Sequence, residues 1–168
     1  MLGLEKYLPK IIWPIAPKSK IHVAISGGFD PLHCGHVRYI QDSARLGGRL
    51  TVILNSDDFL IKKKGYVFMD YEERKEMLLS IRGVDEVFKC IDLDSSVCKT
   101  LTVLMPDIFA KGGDRVLQNI PEAKICKELG IKMVFGVGGS DKPSSSSWLV
   151  EKAARHFVKN IELRRGSR

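Results

Sequence analysis

Paired cysteines, long apolar runs and the two commonest glycine-rich nucleotide signatures are all missing from this 168-residue chain. Its four cysteines, Cys34, Cys90, Cys98 and Cys126, form no CxxC pair and no spacing that reads as a zinc site or a secreted disulfide framework, which points to a reducing compartment. The opening stretch, Met1 to Lys20, has too short an apolar run to span a bilayer, and Glu5 with Pro9, Pro14 and Pro17 fits poorly with a signal peptide. The expectation is a soluble, cytoplasmic protein with no membrane partner. The 27 basic residues against 20 acidic ones leave a formal charge of +7, which suits a polyanionic ligand. Those basic residues are spread through the chain, with small clusters at Lys62–Lys64 and around Arg164, Arg165 and Arg168. No aromatic-rich basic stripe of the kind that binds single strands accompanies them, so no nucleic-acid partner is expected. There is no internal repeat, and the one low-complexity run is Ser144–Ser147.

What is present is the alternation of an α/β domain. Length and a hydrophobic content of 44% support one compact core. From residue 21 onward, β-branched runs at Ile21–Ser26, Leu50–Asn55, Glu86–Cys90, Asp107–Lys111 and Ile131–Val137 alternate with stretches of helical period. This pattern predicts βα units and a mainly parallel sheet. Asp70 with Glu73 reads as a capping box opening a helix through about Ile81. Pro121 suits a first helical turn, and Gly130 closes that later helix. In the last helix, Leu149, Val150, Ala153, Ala154, Phe157, Val158 and Ile161 form an apolar stripe expected to pack against the sheet. Residues 1–20 read as an extension without a clear period, and 21–168 as the domain.

Directly after the first strand comes Ser26-Gly27-Gly28-Phe29-Asp30-Pro31-Leu32-His33-Cys34-Gly35-His36, followed by an apolar-periodic helix. A glycine-rich turn leading to a helix N-terminus lets backbone N–H groups approach phosphate oxygens, and the carboxyl edge of a parallel sheet is where such folds bind ligands. The spacing matches neither GxGxxG nor GxxxxGK[ST]. His33 and His36 stand nearly one turn apart, so both imidazoles can face one phosphate and offset charge on a displaced oxygen. The competing readings are two structural histidines, or a zinc site that the sequence supplies poorly with ligands.

The stretch GGFDPLHCGH resembles the HxGH signature of the nucleotidylyltransferase superfamily, in its cytidylyltransferase-like branch. The likeness extends through Asn55-Ser56-Asp57, Lys62–Lys64, Tyr71-Glu72-Glu73-Arg74, Pro106-Asp107 and Lys111-Gly112-Gly113-Asp114. It is nearest to bacterial heptose-phosphate adenylyltransferases and then to glycerol-phosphate cytidylyltransferases. The resemblance implies a Rossmann-like, doubly wound sheet of about five parallel strands with helices on both faces. It implies catalytic roles for His33, His36 and Lys64, and nucleotide contacts from Gly28, Phe29, Asp30, Gly35, Lys111, Gly112, Gly113 and Asp114. By position Ser145, Ser146 and Ser147 resemble the Ser-Thr-Thr element that grips the triphosphate. Lys62, Arg74 and Lys142 are candidates for phosphate or acceptor contact, with an ordinary surface pairing to Asp70 as the alternative for Arg74. The glycerol-phosphate enzymes carry an arginine ahead of their Ser-Thr-Thr element; here Gly138, Gly139 and Lys142 stand in that neighbourhood.

The activity so implied is transfer of a nucleoside monophosphate, AMP before CMP, from ATP or CTP to a small phosphorylated acceptor with release of pyrophosphate. Mg²⁺ is the expected cofactor, held by phosphate and water oxygens with no protein metal ligand. A homodimer is implied by resemblance alone. The alternatives are a cytidylyltransferase for a polyol or amino-alcohol phosphate, and a module that senses nucleotides without reacting.

Overall fold

Strand formation follows the buried β-branched runs. The computed structural model describes residues 21–113, 120–139 and 144–166. Five strands, β1 (His22–Gly27), β2 (Arg49–Leu54), β3 (Glu86–Lys89), β4 (Ile108–Gly112) and β5 (Lys132–Val137), form one sheet in the order β3-β2-β1-β4-β5. Every pairing is parallel, with Val23 opposite Leu50 on one side and Ile108 on the other. Six helices join and follow them: α1 (Cys34–Ala44), α2 (Asp57–Lys64), α3 (Tyr71–Leu79), α4 (Cys98–Leu104), α5 (Glu122–Glu128) and α6 (Ser146–Gly166).

The period of two along each strand divides the core between the two faces of the sheet. Val23, Ile25, Leu50, Val52, Ile108 and Ala110 pack with Ile40 of α1 and Leu78 of α3. Ala24, Ile53 and Phe109 pack on the opposite side with Leu101 of α4 and Cys126 of α5. Each such aliphatic side chain taken out of water contributes about 1.5–3 kcal/mol, so both layers are held by burial rather than by helix propensity. The architecture is the expected Rossmann-like, doubly wound one, and the five strands fall within about a residue of their predicted bounds. The capping box of α3 is present in both directions: Glu73 N–H donates to Asp70, and Asp70 N–H to the Glu73 carboxylate.

The last helix differs from expectation. Leu149, Phe157, Val158 and Ile161 are 40%, 70%, 54% and 51% exposed, so the stripe does not lie on the sheet. Both faces are already covered, by α1 and α3 on one side and α4 and α5 on the other. A helical period reports that one side is apolar, not what that side meets. At its start, Ser146 Oγ donates to the Pro31 carbonyl at 2.9 Å, tying the helix to the β1–α1 turn.

Candidate active site

The strand order reverses between β1 and β4, and the crevice outside their carboxyl ends is where open parallel sheets bind ligands. A cavity of about 600 Å³ opens there. Its walls come from the ends of β1 and β4 (Ser26, Gly27, Gly28, Lys111, Gly112), from Phe29, His36 and Tyr39 beyond the first turn, and from Asn55, Phe59 and Lys63 after β2. The far side is closed by Ser95, Val97 and Glu122.

The turn is fixed by packing as much as by glycine freedom. A Cβ on Gly28 would stand 2.7 Å from Leu60 Cδ2, so any other residue there requires the buried Leu60 side chain to shift. Phe29 adopts φ +50°, in the left-handed region that costs a non-glycine residue about 1–3 kcal/mol, and burial of its ring holds it there. Its edge meets the His36 ring, with centroids 5.0 Å apart. Tyr39, one turn further along α1, donates its hydroxyl to the Ala110 carbonyl at 2.6 Å and so locks α1 to β4. Gly138 lies against the Tyr39 backbone, where a Cβ would come within 2.8 Å of its Cα.

The two histidines are brought together. Their rings stack with centroids 3.7 Å apart, and His33 is the N-cap of α1, its Nδ1 accepting from the His36 backbone N–H at 3.4 Å. An Nδ1 used as acceptor leaves the ring hydrogen of neutral His33 on Nε2. His36 is the one on the cavity wall. Burial, with the neighbouring His33 adding to it, pushes its pKa from 6.5 down to about 3, so it is a neutral ring at physiological pH. Its Nδ1 is buried without a hydrogen-bond partner among the described residues, an arrangement that costs about 1–3 kcal/mol unless a ligand or water satisfies it.

This has a consequence for acid stability. The unfolded chain binds the His36 proton below pH 6.5 and the folded chain does not until about pH 3, so the favourable contribution is full above 6.5 and is lost as pH falls toward 3. Replacing His36 with Leu is expected to flatten the acid limb of a urea-midpoint profile between pH 6.5 and 4. An unaltered slope would show that the ring titrates normally.

Lys64, the lysine expected to be catalytic, faces elsewhere. Its Nζ donates to the Asp30 carboxylate at 2.6 Å and to the Asp30 carbonyl at 2.8 Å. Lys63 takes its place on the cavity wall. Lys62–Lys64 are the last turn of α2 rather than a loop. Helical phase sets Lys63 one turn after Phe59, its Nζ 5.6 Å from that ring's centroid, and rotates Lys64 about 100° away.

Asp30, expected at the nucleotide, is also used by the protein. Besides Lys64, its carboxylate accepts from the backbone N–H groups of Phe68 and Met69 at 2.9 and 2.7 Å. Burial works to raise its pKa, but these hydrogen bonds prevail and hold it below the ordinary carboxylate range.

Arg74 is a correction of the same kind. It is fully buried and makes neither a ligand-facing wall nor a pair with Asp70. Its guanidinium donates to the carbonyls of Met69, Gly28 and Asn55 at 3.0, 2.7 and 2.9 Å and to Asp57 Oδ1 at 2.5 Å. It therefore binds the backbones of two wall segments to α3.

Lys111 lies on the cavity wall as half of a buried pair: its Nζ is 3.5 Å from Glu122 Oε1 and 3.5 Å from Ser26 Oγ. Glu122 Oε1 also accepts the Val97 N–H at 3.1 Å, connecting β4 to the loop after β3. The sequence reading missed Glu122, Tyr39 and Phe59, and within Lys62–Lys64 it favoured Lys64 over Lys63. The i,i+4 spacing of Phe59 and Lys63 was the available signal, and nothing in the sequence pointed to Glu122. Gly28, Phe29 and Gly112 stand on the wall. Gly35 lies in the first turn of α1 and Gly113 just past β4; neither is part of the wall. Ser145, Ser146 and Ser147 gather at the start of α6 beside Pro31 without lining the cavity. Asp114 and Lys142 lie outside the described residues.

A switch-point cavity walled by a glycine-rich turn, a neutral histidine and two lysines defines a nucleotide-type site on an α/β fold. Residues 24–155 match the family model described as cytidylyltransferase-like. The chain belongs to that family. Over 158 residues it is 35% identical to the Bifunctional protein HldE of Trichlorobacter lovleyi, a match covering 92% of this chain and 31% of that protein. It is 31% identical over 109 residues to the FAD synthase of Picrophilus torridus, covering 65% of this chain and 77% of that one. A solved lipopolysaccharide core biosynthesis protein from Thermoplasma volcanium superposes with a TM-score of 0.59 at 25% identity, covering 72% of this chain and 98% of that one. The chain thus spans less than a third of the HldE protein's length. Among the described residues no helix is long and apolar enough to cross a membrane.

Proposed function

We propose that the enzyme transfers AMP from ATP to a sugar phosphate and releases pyrophosphate. The observation that carries this reading is the neutral His36 ring on the wall of the switch-point cavity, stacked on His33 and with a buried nitrogen lacking a partner. An acceptor phosphate is already an anion near neutral pH, so attack on the α-phosphorus needs no general base. The protein's work is then placement and charge stabilisation. A neutral imidazole N–H from His36, and another from His33, would donate to phosphoryl oxygens as the transition state forms. Lys63 and Lys111 would offset charge across the cavity, and the Ser145–Ser147 start of α6 would donate to the triphosphate tail. Mg²⁺ would enter with the triphosphate, held by its oxygens and water.

Likeness to the HldE protein supports a sugar phosphate as acceptor, and likeness to the FAD synthase makes flavin mononucleotide the competitor to include. The test crosses ATP and CTP with sugar 1-phosphates, a heptose 1-phosphate among them, glycerol 3-phosphate, phosphoethanolamine and flavin mononucleotide, and reads pyrophosphate. ATP with a sugar 1-phosphate is expected to give the highest kcat/KM. Preference for CTP with glycerol 3-phosphate would replace this reading by the cytidylyltransferase one. Nucleotide binding with no pyrophosphate from any pair would favour a sensing module.

A further inference from the structure

Glu122, the first residue of α5, has no part in the transfer described above, yet it is 3% exposed and stands on the cavity wall. Its Oε1 is taken by the protein: it accepts the Val97 N–H at 3.1 Å and lies 3.5 Å from Lys111 Nζ. Its Oε2 accepts no hydrogen bond among the described residues. The side-chain atom sealed off without a partner there is His36 Nδ1, so Glu122 Oε2 is open to the cavity. We infer that Glu122 is a specificity-determining residue: Oε2 accepts the amino group at position 6 of a purine or position 4 of a pyrimidine, and so selects adenine or cytosine over bases that carry a keto oxygen there. The assignment rests on a nucleotide occupying this cavity, as the transferase reading requires, and deepens that reading.

The surroundings of Glu122 suit a base and not a phosphate. Val97, 4% exposed, and the adjoining Ile120 and Pro121 give this side of the cavity an apolar surface against which a planar ring can lie. A carboxylate repels phosphate oxygens, whereas His36 and Lys63, on the walls formed by the β1–α1 turn and α2, offer them donors and charge. Phosphates at that end leave the base for the Glu122 end.

The carboxylate is also held still. Val97 at the start of α4 and Lys111 on β4 both engage Oε1, which fixes the direction in which Oε2 points. An oxygen that cannot turn away rejects a keto group, because two acceptors would then face one another with neither satisfied. Guanine is excluded by the count of free oxygens. Its neighbouring N1–H and amino donors pair with both oxygens of a carboxylate, and here only one is open.

Equilibrium titration with Mg²⁺ and no acceptor tests this, using ATP, purine riboside triphosphate, which lacks only the amino group, ITP, GTP and the two deoxy forms of ATP, with CTP and UTP as the pyrimidine pair. Wild type is expected to bind ATP roughly 10–100-fold more tightly than purine riboside triphosphate or ITP, the scale of one hydrogen bond to a buried charge, and CTP more tightly than UTP. In Glu122→Gln the amide oxygen can keep the Val97 N–H while the amide nitrogen donates into the cavity, so the preference for ATP over ITP should fall at least about tenfold. A melting temperature establishes that the variant is folded; should it not fold, the wild-type comparison of ATP with purine riboside triphosphate decides alone. Equal wild-type affinity for those two, tighter binding of GTP than of ATP, or an unchanged ATP to ITP ratio in folded Glu122→Gln overturns the assignment. A loss on removing a ribose hydroxyl, with none on removing the amino group, overturns it in favour of a ribose contact. Because binding is read without an acceptor, selective binding with no pyrophosphate released sinks the transferase reading and upholds Glu122, while no binding of any triphosphate sinks both.

Discussion

Replacing His36 with alanine should lower turnover about 10²–10³-fold while leaving the far-ultraviolet spectrum and the affinity for the triphosphate close to those of the wild type. That is the scale of losing one preorganised donor to a developing oxyanion. The ring stands on the cavity wall, is kept neutral by burial, and is set against His33 at a stacking distance of 3.7 Å. A neutral donor need not shed a proton to work, so the rate should show no inflection from this residue between pH 5 and 8. His36→Gln, which restores an N–H in a similar volume, should recover part of the loss. The readout is pyrophosphate released under saturating triphosphate and acceptor. Turnover of the alanine variant within about threefold of wild type would remove His36 from the mechanism.

The largest loss of stability is expected from Arg74→Ala. Four acceptors converge on one fully buried guanidinium, and truncating it leaves three carbonyls and the Asp57 carboxylate without their donor. Each buried carbonyl left without its partner costs about 1–3 kcal/mol, a large share of the about 5–15 kcal/mol that stabilises a typical domain, while Asp57, 37% exposed, can turn to water. Arg74→Lys should recover only part, because one ammonium cannot span donors aimed at acceptors on three different segments. Gly28 and Asn55, whose carbonyls Arg74 holds, both stand on the cavity wall, so triphosphate binding should weaken along with the fold. Urea midpoints and titration of ATP would measure both effects. A loss below about 1 kcal/mol would show that the guanidinium's contacts are dispensable.

The strands were readable along the chain because each carries its own signal, a short run rich in β-branched and apolar residues, buried on both faces in the central β1, β2 and β4. The turn after β1 was readable for a similar reason, since glycines and histidines at close spacing keep their meaning whatever surrounds them. The capping box of α3 needs only residues three apart. Phase was harder. α2, Asp57–Lys64, buries only Leu60, so its helical period is faint and the lysines read as a loop; the choice between Lys63 and Lys64 then turns on a rotation that a loop does not have. Arg74 misled because Asp70 offered a partner at helical spacing, whereas the residue it binds, Asp57, lies 17 positions upstream.

The amino-acid sequence by itself determined the parallel sheet, the glycine-rich turn at its carboxyl edge and the pairing of two histidines one helical turn apart. The strand-forming runs, the turn and the histidine spacing are set by neighbours within a few residues, through steric and hydrogen-bonding preferences that act locally, and the βα alternation then makes the sheet parallel. Tertiary structure alone decided which charges are free for a ligand. Asp30 and Lys64 neutralise one another across 34 positions, and Lys111 meets Glu122 on the cavity wall. The last helix keeps its apolar side off a sheet whose faces are already covered. These outcomes depend on which buried groups find partners from distant segments, and spacing along the chain carries no record of that competition.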